Sequence, residues 1–255
     1  MLHGFSNNWL VWNGVMDELA DGYDMFAPTL PGHWGGPELV GPPTVSGFAD
    51  FVEQVMDDAG LDTAHIAGNS LGGWLALELA TRGRARSVIA IAPAGLWSPF
   101  ASEASRVRRL FGLLPWTAPV GRSLTRRRVP IAARNAYLRS MAHRPQDVEP
   151  SMALTTLEAP AHCTCLRTAL KDPAIIHGMD KMSDIRVPVT ILFGERDQVL
   201  PPERYGRQWI KKYPNVAAKT ILGVGHVPML EAPSLIASEI DAAIAHCLNT
   251  LGKSA

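Results

Sequence analysis

The amino-acid sequence predicts an α/β fold: a mostly parallel sheet flanked by helices and interrupted by a helical insertion. Three observations carry this reading. Short apolar β-type runs alternate with helical patterns, the rhythm of a parallel sheet with helices on its faces. Between Trp97 and Asp184 that rhythm stops, and short helical patterns broken by Pro115, Pro119, Pro130, Pro145, Pro150 and Pro160 take over. The chain has 255 residues, a length that suits one large domain carrying an insertion. The expected boundaries are 1–96 and 185–255 for the core and 97–184 for the insertion.

The elements follow in order. Asp24–Thr29 reads as a short strand ending at the turn Pro31-Gly32. Val45–Ala59 places Val45, Phe48, Phe51, Val52, Val55 and Met56 at helical spacing and stops before Gly60. Thr63–Gly68 is a strand, Leu71–Thr81 an apolar helix closed by Gly83, and Ser87–Ile91 a strand. After the insertion, Val187–Phe193 and Ala218–Leu222 read as strands and Leu235–Leu248 as a closing helix.

Composition excludes several classes. With 47% hydrophobic and 19% charged residues the chain is an ordinary globular protein. Its formal net charge is zero, so nothing calls for nucleic acid. Three cysteines, Cys163, Cys165 and Cys247, make no disulfide framework and read as buried thiols. Neither a secretory signal nor a run of about 18 apolar residues is visible, which points to the cytoplasm. The insertion holds 13 Lys plus Arg against 7 Asp plus Glu, with runs at Arg106–Arg109 and Arg126–Arg128. Such runs usually mark solvated helix faces; an anionic substrate or a membrane surface is the functional alternative. Oligomeric state is left open.

The chemistry begins at Gly68-Asn69-Ser70-Leu71-Gly72. It falls between a strand and a helix, where a serine on a sharp turn projects its hydroxyl at a helix N-terminus. Gly68 and Gly72 stand where side chains would clash with the tight backbone. A serine hydroxyl needs a base and an acid that orients the base. Asp197, in Gly194-Glu195-Arg196-Asp197, and His226, in Gly225-His226, each follow a strand and would sit at its carboxyl end. Glu195 is the weaker candidate for the acid. His3-Gly4-Phe5 precedes a helical pattern, so the backbone N–H groups of Phe5 and Leu71 are the expected oxyanion donors. His3 and His33 read as supports of loop structure. Cys163 and Cys165 beside His162 lack a second pair at zinc spacing, so neither a metal nor a cofactor is expected. Trp9, Trp12, Trp74 and Trp97 read as core aromatics by default, with a pocket lining as the alternative.

These motifs, together with Leu30-Pro31-Gly32-His33, resemble the α/β-hydrolase superfamily in its capped esterase, lipase and carbon–carbon hydrolase branch. The resemblance implies an acyl-enzyme mechanism on Ser70, Asp197 and His226, acting on a small to medium carboxylic ester, with the insertion as a cap over the site. Carbon–carbon hydrolysis or acyl transfer on the same triad, and a non-catalytic binding role, are the alternatives. Haloalkane dehalogenases and epoxide hydrolases in this superfamily carry Asp where this chain has Ser70, which disfavours both. Relatives also carry strands before the His-Gly motif. Here that motif is His3-Gly4, so an N-terminal truncation or a late start site is expected.

Overall fold

Four parallel strands, β1 (Ala64–Asn69), β2 (Ala85–Ile91), β3 (Val189–Gly194) and β4 (Val216–Ile221), lie side by side in chain order in the computed structural model. The structure describes residues 1–97, 102–126, 129–169, 178–179, 182–205, 213 and 215–251. Arg127 and Arg128 of the second basic run lie outside them.

Both faces of the sheet are apolar because successive strand residues point to opposite sides. Ile66, Val88, Ala90 and Ile191 pack on one face with α2 (Val45–Asp58) and α3 (Leu71–Thr81). Ala67, Ile89, Ile91 and Leu192 pack on the other with α1 (Asn13–Leu19) and α9 (Pro233–Leu251). A fully buried Ile or Leu contributes about 1.5–3 kcal/mol. A slip of one residue would turn each of them to the wrong face, so packing fixes the register.

Helix α2 buries Val45, Phe48, Ala49, Val52 and Met56, one stripe at helical spacing, and Thr44 Oγ1 caps it by accepting the Gly47 N–H at 3.0 Å. Helix α3 is apolar nearly all round, as its burial requires.

The expected strand at Asp24–Thr29 is a correction. The segment forms no ladder, although its residues suit a strand. A strand requires a paired neighbour, and an apolar trough of about 260 Å³, lined by Met1, Met25, Phe26, Ala64 and Ile66 among others, separates it from β1. The Met1 amino group reaches across to the Phe26 carbonyl at 2.5 Å. Among the described residues Leu2 alone extends the sheet beside β1: its N–H donates to Ala67 O (2.8 Å), and its carbonyl accepts from Asn69 N–H (3.0 Å).

Between β2 and β3 the described residues form helices and no strand: α4 (Ser102–Gly112), α5 (Leu114–Ser123), α6 (Ile131–Leu138) and α7 (Pro150–Glu158). A short helix α8 (Pro202–Tyr205) follows β3.

Candidate active site

Ser70 sits where β1 turns into α3, with φ 54° and ψ −113°. A non-glycine residue at positive φ costs about 1–3 kcal/mol and persists only where its surroundings hold it. Here the Ser70 N–H donates to Ile91 O (2.9 Å), and its carbonyl accepts from Trp74 N–H (3.1 Å) and Ala94 N–H (3.0 Å). The turn is so tight that a Cβ on Gly68 would lie 2.1 Å from Gly72 O, and one on Gly72 would lie 2.1 Å from Leu2 O.

Asp197 follows β3 by three residues, and His226 lies in the loop after β4. His226 Nδ1 is 2.7 Å from Asp197 Oδ2. A carboxylate only accepts, so Nδ1 donates there and Nε2 is the ring nitrogen left for other partners. Asp197 Oδ1 accepts the N–H groups of Val199 and Leu200, each at 2.8 Å. Burial pushes the Asp197 carboxyl up, but the facing His226 and the hydrogen bonds outweigh burial and hold it below its usual value. Glu195, the weaker candidate, instead accepts from Gly223 N–H at 3.1 Å near the surface.

Ser70 and His226 line one cavity of about 310 Å³, walled on the far side by Leu110, Phe111, Leu114, Tyr137 and Met141 of the insertion. A second cavity of about 60 Å³ opens beside Ser70 and Leu71 and is walled by Phe48, Trp74, Trp97 and Val107. Phe5, Ser70 and Phe111 belong to both. Neither the Phe5 nor the Leu71 N–H donates a hydrogen bond among the described residues. Trp74 and Trp97 thus serve a pocket wall as well as the core, whereas Trp12 is fully buried and Trp9 half-exposed.

Three supports escape motif reading. Asn69 Nδ2 donates to the His226 carbonyl at 2.9 Å and to Ile91 O at 3.2 Å, tying the serine turn to the histidine loop. Arg106, from the first basic run, donates to Val199 O (2.7 Å) and Gln198 O (2.9 Å), which clamps α4 onto the Asp197 loop. Glu231 accepts from Gly225 N–H beside His226, and from His143 and Arg144 in the insertion. His3 Nε2 accepts the Leu30 N–H at 2.9 Å, the loop-supporting role that the sequence suggests.

A family model for the α/β hydrolase family matches residues 1–239. The chain belongs to this family. It is an α/β-fold hydrolase, with the parallel sheet and flanking helices that the fold requires. An epoxide hydrolase of Mycobacterium tuberculosis, EphH, is 37% identical over 203 residues, which cover 78% of this chain and 94% of that one. A pimeloyl-(acyl-carrier protein) methyl ester esterase of Aromatoleum aromaticum is 28% identical over 248 residues, covering 91% of this chain and 92% of that one. Among solved structures, an esterase from Thermogutta terrifontis superposes with a TM-score of 0.72 at 20% identity, covering 96% of this chain and 88% of that one. The α/β hydrolase family thus holds relatives of both chemistries, and the site must decide between them.

Proposed function

We propose that this α/β hydrolase cleaves a carboxylic ester of a small molecule through an acyl-enzyme on Ser70. The observation that carries the reading is the 2.7 Å Asp197–His226 pair, whose His226 lines the same cavity as a strained Ser70. Ser70 Oγ adds to the ester carbonyl while His226 Nε2 takes its proton. Asp197 orients the ring and stabilises the imidazolium. The Phe5 and Leu71 N–H groups receive the oxyanion, a contribution of about 2.7–4 kcal/mol per donor. His226 then protonates the departing alcohol, and water adds to the acyl-enzyme by the same proton route.

This geometry also orders the substrate. The leaving oxygen must lie near His226 to be protonated, so the acyl chain points away from it. The larger cavity contains His226 and the smaller does not. The acyl group therefore belongs in the 60 Å³ apolar cavity and the alcohol in the 310 Å³ one beneath the insertion, which acts as a cap. The smaller cavity, walled by apolar side chains, suits a short apolar acyl chain.

The epoxide hydrolase relative raises a second reading. A serine oxygen that opened an epoxide would leave a β-hydroxyalkyl ether on Ser70. An ether has no carbonyl for water to attack, so the enzyme would stall after one event. A carboxylate nucleophile escapes this because its product is an ester. Ser70 therefore favours esters.

The test is turnover of p-nitrophenyl esters of graded acyl length, with fluorophosphonate labelling and Ser70→Ala as control. Expected are hydrolysis and labelling that both vanish in the variant. Labelling that survives Ser70→Ala, or diol formation from an epoxide, overturns the reading.

A further inference from the structure

We propose that His33, Cys163 and Cys165 bind a zinc ion that fastens the end of the helical insertion to the turn beneath the Phe5 loop. The two sulfurs lie 3.4 Å apart, and a His33 ring nitrogen lies within 4.8 Å of both. With zinc–sulfur and zinc–nitrogen bonds of about 2.3 and 2.0–2.1 Å, tetrahedral ligand atoms stand about 3.5–3.8 Å apart. Small side-chain rotations close that difference.

The histidine is set up as a ligand. Its Nδ1 lies 3.1 Å from the Pro31 carbonyl, which fixes the proton there. Its Nε2 is buried and has no hydrogen-bond partner. A buried lone pair left unpaired is costly, and metal-binding histidines characteristically hold their other N–H on a carbonyl.

The thiols are held in place independently of any ion. Thr164, between them, donates its N–H (2.8 Å) and its hydroxyl (3.2 Å) to Gly32 O, the residue before His33. Gly32 has φ 73°, and a Cβ there would lie 3.4 Å from the Cys165 Cβ, so the two segments meet at backbone distance.

Charge suits a divalent ion, and sulfur with imidazole nitrogen suits zinc. Two thiolates and a neutral imidazole balance a divalent ion, and a neutral cluster suits a buried site. Binding releases two thiol protons. A cavity of about 290 Å³, lined by Pro115, Arg122, Arg167 and Cys163 among others, reaches one of the two thiols.

The experiment uses the full chain, purified with a reductant, stripped with a chelator and titrated anaerobically with cobalt(II), then zinc(II). Expected is one cobalt per chain with thiolate-to-metal charge-transfer absorption, displaced by one zinc, and a higher Tm with zinc. Cys165→Ser should lose the absorption while keeping its circular dichroism, and Cys247→Ser should keep both. No absorption in tenfold cobalt excess, full absorption in Cys165→Ser, or a Cys163–Cys165 disulfide in protein prepared without reductant overturns the proposal.

Discussion

The buried Glu231 carboxylate accepts the backbone N–H of Gly225 at 2.7 Å, one residue before His226. The same carboxylate takes the N–H groups of His143 (3.0 Å) and Arg144 (2.5 Å), while Val227 N–H donates to Met141 O at 2.8 Å. The histidine loop is thus held by the insertion as much as by the sheet. Glu231→Ala strands three backbone donors, each costing about 1–3 kcal/mol if left unpaired. Urea unfolding should show a loss of about 3 kcal/mol or more, with a lower kcat because the His226 loop is freed. Unchanged stability would mean that water replaces the carboxylate.

Asp197→Asn tests the orienting role. The asparagine can still accept the Val199 and Leu200 N–H groups through its oxygen. Its amide nitrogen then faces His226 Nδ1, which must accept instead of donate. The proton moves to Nε2 and the base is lost. The expected fall in kcat is about 10,000-fold with the fold intact. Activity within tenfold of the parent would remove Asp197 from the mechanism.

The tight turn at Ser70 and the meeting of Asp197 with His226 are legible in the sequence because each residue lies in a short local motif at a strand end. Glu231 is not, because its partners His143 and Arg144 are more than 80 residues away and meet it only when the insertion docks. The surroundings of the cysteine pair are likewise set by the fold and not by adjacency. Adjacency offered His162, which instead contacts Glu158 at 3.1 Å and stacks on Trp34, while the fold brings up His33. The extended segment at 24–29 carries strand-like residues without a ladder, since pairing depends on a neighbour and not on composition.

Two glycines predict opposite outcomes for one substitution. Gly72→Ala puts a Cβ 2.1 Å from Leu2 O and 2.8 Å from His3 O, both backbone. The serine turn or the Phe5 loop must move, so labelling of Ser70 and soluble yield should both collapse. Gly83→Ala, at φ 78° with nothing within 4 Å, pays only the backbone cost of about 1–2 kcal/mol. It should keep full labelling with a modestly lower Tm.

Stability should fall as the solution turns acidic, through two buried histidines. Burial, with neighbouring His33, lowers the His3 pKa to about 3, and burial lowers that of His33 to about 4. Unfolded, both rings take protons near pH 6.5. Below that pH the unfolded chain binds more protons, so unfolding becomes easier as pH drops. Each ring should cost about 2 kcal/mol by pH 5 relative to pH 7.5, and the loss continues toward the folded-state values. Urea unfolding at these pH values, with chelator present to keep His33 free of metal, measures it. A flat profile between pH 7.5 and 5 would contradict the burial of both rings.

Val107→Ala tests which cavity takes the acyl chain. Val107 is buried on α4 and lines the 60 Å³ cavity but not the larger one. Trimming it lengthens the apolar slot by about one or two carbons. In such a slot one methylene is worth about 1–3 kcal/mol, or 10–200-fold in kcat/KM. The preferred acyl chain should therefore lengthen by one or two carbons, by at least tenfold in kcat/KM ratio over the parent preference. Changing the alcohol at constant acyl group should give the same ranking in variant and parent, since Tyr137 and Met141 wall that side. If alcohol preference shifts and acyl preference does not, the two cavities have been assigned the wrong way round, and His226 would have to protonate a leaving group it does not face.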